Sequence, residues 1–270
     1  MTRGYRARAA VAAERAADGR TRLTRLRSDG PLALRAADDA VYLVGAAAGP
    51  LGGDELDLEL TVGAGARLAV RSSATSVALP GDGPSGLTVR AVVGPGGHLD
   101  FAPEPTVAAA ECDHRAAASV ALAAGATLRW REELVLGRYG ERPGRHTGRL
   151  DVTYGGAPLL RHELCLDDPG TYGSGAVLGG AGASGAVLLV GEGLTREPYA
   201  AEGLSLLPLA GGGALISATA ENSAVLRQRL VHGESVAWTA GEQAPNKTMS
   251  TDMSPGMASG MAGPGLVNYW

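Results

Sequence analysis

One phrase recurs four times along this chain, about thirty residues apart. Val62-Gly-Ala-Gly65-Ala-Arg-Leu68-Ala-Val70 returns as Val93-Gly-Pro-Gly96-Gly-His-Leu99-Asp-Phe101. It returns again as Leu122-Ala-Ala-Gly125-Ala-Thr-Leu128-Arg-Trp130, and more loosely as Val152-Thr-Tyr-Gly155-Gly-Ala-Pro-Leu159. The starting residues lie 31, 29 and 30 positions apart, and a fixed period of this size marks a repeated supersecondary unit. Each copy reads as a strand end, a glycine turn and a new strand, because glycine supplies the positive φ of a tight turn. Leu68 with Val70, Leu99 with Phe101, and Leu128 with Trp130 then share one face of their strands. The expectation is an all-β stack of hairpin-like layers, favouring broad surfaces over one deep pocket.

The rest of the pattern fits that frame. Leu56, Leu58, Leu60 and Val62 alternate with polar residues as a half-buried strand does. Residues 5 to 18 are ambiguous, since their alanines favour helix while the following Thr21–Leu26 run and Ser28-Asp-Gly-Pro31 turn frame strands. Asn222 or Ser223 caps a helix holding Val225, Leu226 and Leu230. With 270 residues a single large core is feasible, so residues 1–240 read as one domain. From Gly241 the chain is rich in Gly, Pro, Ser and Met, and 241–270 reads as a disordered tail.

Composition narrows the function. The net charge of -4 gives no electrostatic case for nucleic acid or an anionic membrane. Lys247 is the one lysine among 24 basic residues, which excludes an upstream P-loop and a lysine Schiff base in the folded part. Pro169 to Gly191 is uncharged, but its glycines and sparse bulky side chains read as strands and turns rather than a membrane span. Cys112 and Cys165 lie far apart with no CxxC, which points to a reduced, cytoplasmic setting.

Potential metal ligands do not close a site locally. In a strand, Cys112 and His114 face opposite to Glu111 and Asp113, and His162 faces opposite to Glu163 and Cys165. Two ligands per face is too few for a closed site, which leaves only an assembly across strands. Met249, Met253, Met257 and Met261 recur every four residues and would suit Cu(I) on a helix, but Pro255, Gly256 and Gly260 oppose that helix. Glu104, Glu132, Glu133, Glu141 and Asp151 fall in or near strand ends without marking a glycosidase pair.

Taken in order, several segments resemble the urease accessory protein UreD (UreH) family. Gly19-Arg-Thr-Arg-Leu23 with Gly30-Pro-Leu32 is similar to its opening signature, and Leu51-Gly-Gly-Asp54 followed by Leu56–Leu68 to its G-G-D-x-L segment. Pro103-Glu-Pro105 matches its P-E-P turn. Gly125–Glu132 with Leu136-Gly-Arg138 and Gly140-Glu141 matches its W-x-E…G-R…G-E stretch. The chain departs from the pattern at Ser76, Val107-Ala-Ala109 and Arg142-Pro-Gly144. The resemblance implies a mainly all-β, solenoid-like stack of strands in two packed sheets, with one or two short helices near the C-terminus. It implies a non-catalytic urease-maturation scaffold that binds urease apoprotein and UreF, recruits the GTPase UreG through UreF, and helps deliver nickel. No tightly bound cofactor is expected; nickel is in transit. Asp54, Glu132 and Glu141 match charged positions of the pattern and are expected along the nickel path, with Arg138 anchoring Glu132 or a partner. The uncharged segments 169–191 and 203–220 are expected to face partners. A polysaccharide-acting β-solenoid enzyme and a copper protein using the tail methionines are the alternatives.

Overall fold

The computed structural model describes residues 4–37, 40–47 and 49–238; the expected tail and its methionines lie outside the described residues. Strands β1 (Arg6–Arg15) and β2 (Thr21–Arg27) pair antiparallel, as do β3 (Leu32–Ala36) and β4 (Val41–Gly45). Then come β5 (Glu55–Val62), β6 (Arg67–Ser72), β7 (Ser76–Ala78), β8 (Ser85–Val93), β9 (His98–Phe101), β10 (Thr106–Ala108), β11 (Asp113–Leu122) and β12 (Thr127–Leu136). A hairpin of β13 (Arg145–Tyr154) and β14 (Ala157–Leu166) leads to a single helical turn, α1 (Pro169–Tyr172). The chain ends with β15 (Ala183–Val190), β16 (Tyr199–Ala201), β17 (Leu204–Pro208), β18 (Ala214–Ala220) and helix α2 (Ser223–Ala237).

Among the described residues the strands form two sheets. The first runs β14-β13-β11-β8-β5-β1-β2; the second runs β16-β17-β18-β15-β12-β9-β6-β4-β3, with β7 and β10 beside it. The thirty-residue rhythm is the coil of this solenoid. Strands β5, β8, β11 and β13 pair in parallel, so equivalent residues of successive coils become neighbours. Leu60, Ala91, Val120 and Val152 make one such buried row. On the second sheet Leu68, Leu99 and Leu128 make another, and Val70, Phe101 and Trp130 a third. The Phe101 and Trp130 rings stack with centroids 4.1 Å apart.

The first three copies of the repeat are not hairpins, as the sequence reading had them. Val62, Val93 and Leu122 end strands of the first sheet, while the residues after each turn begin strands of the second. Each turn therefore arches between sheets. Gly65, Gly96 and Gly125 have φ of 63°, 64° and 77°, with bonds such as Ala66 N–H to Gly63 O closing the turn. The fourth copy is a true hairpin. Gly155 and Gly156 both take positive φ, the two-residue geometry whose twist suits adjacent antiparallel strands. This two-residue turn, in place of the four residues between Val62 and Arg67, leaves β14 in the first sheet.

Residues 6–15 are strand, not helix. Ala7, Ala9, Val11 and Ala13 alternate with exposed Arg6 and Arg8 and are buried between the sheets, so tertiary packing of small side chains overrides alanine's helical preference. Asn222 caps α2, accepting from Val225 N–H at 3.0 Å. The helix seats Leu226, Leu230 and Gly233 on Leu204, Leu206 and Ile216 of the second sheet. The strands within the uncharged segments are consequently not a broad partner surface, while residues 169–180 are mostly exposed. Ala183, Val187, Leu188 and Leu189 of β15, and Leu204, Leu206 and Ile216, are buried because one sheet covers one face and α2 the other.

Stacked turns make a testable contrast. A methyl group at Gly125 would meet Gly96 N at an ordinary 3.9 Å, so Gly125→Ala should cost only the left-handed backbone penalty, about 1–2 kcal/mol. A methyl at Gly94 would come within 2.9 Å of Ala64 N in the neighbouring coil, so Gly94→Ala should lower the thermal midpoint further. Equal midpoints would contradict close stacking of the turns.

Candidate functional site

The interior is not uniformly apolar, and strand phase explains where it changes. On β12 the residues in phase with Leu128 and Trp130 point between the sheets, and the next in phase is Glu132. Opposite it the first sheet supplies only small side chains in one row, Ala116 and Gly148 between Leu87 and Leu164. The missing volume leaves a cavity of about 210 Å³, contrary to the expectation of broad surfaces alone. Its polar lining includes Glu132, His146, His162, Ser184, Ser217 and Thr219, and Glu104 and Glu133 also border it.

Each polar group has a distinct environment. Glu132 Oε1 accepts the Trp130 indole N–H at 2.8 Å. Burial raises the Glu132 carboxyl above its ordinary value, and the indole bond only partly opposes this. His146 is 8% exposed and its Nδ1 has no hydrogen-bond partner among the described residues. Its ring centroid lies 5.6 Å from that of His114, whose Nδ1 meets Ser85 Oγ at 2.8 Å. Burial lowers His114 to about 4, against the pull of Asp113. Burial, with the neighbouring His114, lowers His146 to about 3. Burial likewise lowers His162. These imidazoles are therefore neutral near pH 7, which leaves lone pairs available.

Nitrogen and oxygen donors of this kind suit a borderline divalent cation. Among the described residues, however, no three His, Cys, Asp or Glu side chains come together as a group that could hold a metal ion. The arrangement can offer successive weak contacts rather than closed coordination. Both cysteines are free thiols; Cys112 is buried and Cys165 is exposed on β14.

The residues expected along the nickel path are not brought together. Glu132 alone of the three lines the cavity. Asp54 is buried, its Oδ1 accepting from Tyr5 N–H at 2.8 Å and its Oδ2 from Leu51 N–H at 2.9 Å, so it ties the start of β1 to a turn. Glu141 accepts from Ala110 and Arg138 N–H, and its bond with the Arg138 side chain takes it down to about 2. Arg138 thus anchors Glu141 and not Glu132, because residues 138 and 141 close the same exposed turn. In the sequence His162 closes no local site and His146 does not stand out, because neither sits in a ligand motif. Their phase with Leu150, Val152 and Leu160 was the available signal.

An ion-pair chain under α2 holds the cavity wall. Arg227 of the helix pairs with Glu133 at 2.6 Å and Glu104 at 3.2 Å, and Arg131 pairs with Glu133 at 2.9 Å. Arg131 Nη2 also donates to the carbonyls of Ala102 and Pro103, the segment bordering the cavity. Further along, Arg129 makes a bidentate pair with Glu234 of α2 and a bond to buried Asp100 at 3.0 Å. Burial works against the Asp100 charge, but Arg71 and Arg129 outweigh it and hold the carboxyl below its ordinary range. A buried carboxylate with two guanidinium partners is costly to break.

The histidine pair sets an acid limb. Both folded-state values lie below the ordinary 6.5, so the unfolded chain takes up protons first. Their stabilising contribution is complete above pH 6.5 and drains away as pH falls through about 4 for His114 and about 3 for His146. Urea unfolding should show stability declining across that window, and His146→Leu should make the decline shallower. An unchanged slope in that variant would show that His146 is not buried as a neutral group.

Comparison with known proteins adds an independent finding. Residues 5–249 match the family model described as "UreD urease accessory protein". The chain is 45% identical to a protein of Frankia casuarinae named "Urease accessory protein UreD", over 86% of this chain and 89% of that one. It is 44% identical to a protein of the same name from Frankia alni, over 83% and 91% of the two chains. For the protein of that name from Streptomyces avermitilis the identity is 42%, over 84% and 95%.

Proposed function

The chain belongs to the UreD urease accessory protein family, and from that premise we propose that it is a non-catalytic scaffold for urease maturation whose interior cavity gives nickel a polar route between the sheets. In this reading it bridges urease apoprotein to UreF, with UreG recruited through UreF, and works in the cytoplasm. Nickel is cargo, passing along Glu132 and the neutral imidazoles of His146 and His162, with Ser184, Ser217 and Thr219 as further oxygen contacts. Asp54 and Glu141 lie outside that route, their carboxylates taken up by backbone N–H groups.

The observation that carries the reading is Glu132. An inward-facing carboxylate inside an apolar sandwich is costly unless something compensates. The Trp130 indole N–H donates to Oε1, and Glu132 lines the cavity. A passing divalent cation favours the ionised form that burial disfavours. Weak, incomplete coordination matters here, because a closed set would trap the ion. No helix among the described residues is long and apolar enough to cross a membrane.

Glu132→Ala should lower the nickel content and activity of urease matured in its presence severalfold. The fold should survive, since the substitution leaves one buried indole N–H unpaired at a cost of about 1–3 kcal/mol. Circular dichroism of the variant, with nickel per active site of the purified urease, checks both halves. Urease fully loaded in the presence of folded Glu132→Ala would sink the assignment.

A further inference from the structure

The two sheets are not the same width on the side where the cavity lies. The first ends at β14, while β18, which lines the cavity opposite β14 with Ser217 and Thr219, continues into β17 and β16. On β17, Leu204 and Leu206 are buried against α2, so Ser205 and Leu207 face the side on which the first sheet would lie. Leu207 is 49% exposed there, with no strand of the first sheet opposite it among the described residues. The sandwich thus has a step: β14 is the wall and β17 the overhanging ledge, and the cavity lies beside them, lined also by Val177 and Leu178.

The wall is a sheet edge whose interruptions cluster at the start of its strand. Proteins blunt such edges with charged side chains, short strands, proline or bulges. The other edges follow that rule. Strand β2 carries Arg22, Arg25 and Arg27, β3 has five residues and β16 has three. Strand β14 has ten residues; Pro158 and a bulge at Leu159 interrupt only its start, and the regular stretch 160–166 carries one positive and one negative charge, Arg161 and Glu163. Those side chains are 57% and 51% exposed and pair on the β13 flank with Asp151 and Arg149. Leu160, His162 and Leu164 point between the sheets.

We propose that the β14 edge is a docking slot for one extended segment of a partner protein, which adds antiparallel to β14 beside the cavity. Charge complementarity sets its chemistry. Reading along the segment, an apolar residue lies opposite Leu164, a basic one opposite Glu163, any small residue opposite His162, an acidic one opposite Arg161 and an apolar one opposite Leu160. A second copy of this chain does not fit. Antiparallel continuation through its own β14 would put both second sheets on the same side, where β17 and β16 already project. A single segment with no layer behind it fills the step and covers Leu207. The inference rests on the proposed function only in making the owner of the segment a maturation partner.

Binding is measured without nickel, on the full chain, so its outcome is separate from that of ion delivery. The probe is the blocked peptide Thr-Val-Lys-Ser-Glu-Val-Thr, titrated calorimetrically against its charge-swapped form Thr-Val-Glu-Ser-Lys-Val-Thr. Reversing two cross-strand charge pairs should weaken binding roughly tenfold. The double variant R161E/E163R, checked for fold by circular dichroism, should invert that preference, and N-methylation of the edge-facing amides should abolish binding. No binding at millimolar peptide, equal affinity for both peptides, indifference to N-methylation, or self-association of the chain through this edge would each overturn the proposal.

Discussion

Parallel pairing of β5, β8, β11 and β13 holds each coil one strand spacing from the next, and the rest of the molecule depends on it. Because the pairing is in register, a residue in one coil meets its equivalent in the next. Rows of like side chains result, from Leu60–Ala91–Val120–Val152 in one sheet to Val70–Phe101–Trp130 in the other. A slip of one residue would turn each such row outward. The same register that packs the core therefore also decides which polar residues are confined inside.

Confinement is what makes the interior chemically interesting. Where the rows are filled by leucine, valine and tryptophan the sheets close on each other. Where Ala116 and Gly148 stand in the first sheet and serines and threonine in the second, they do not close. Glu132 and the histidines then sit in low-dielectric surroundings that disfavour their charged forms. That combination, weakly solvated donors without a closed ligand set, fits passage of a cation better than storage.

Helix α2 and the sheet edge define how the molecule can meet others. Arg227, Glu133, Glu104 and Arg131 at one end of the helix, and Arg129, Glu234 and Asp100 at the other, fasten α2 across the second sheet. With that face covered, the uncharged strands beneath lose their availability as a surface. What remains open is the step beside β14, where the two sheets differ in width.

The amino-acid sequence by itself determined the period, the strand class, the turn glycines and the α2 cap, because each depends on neighbours within a few residues. It also carried the family resemblance and singled out Glu132. It could not say that the first three turns arch between sheets rather than form hairpins, since both kinds of turn are built on positive-φ glycine between strands of the same alternation. Nor could it say that Asp54 and Glu141 would be spent on backbone N–H groups supplied by Tyr5, Leu51 and Ala110. The gathering of Glu132, His146, His162 and Thr219 around one cavity was decided only by tertiary structure, because that depends on which strand of one sheet lies over which strand of the other.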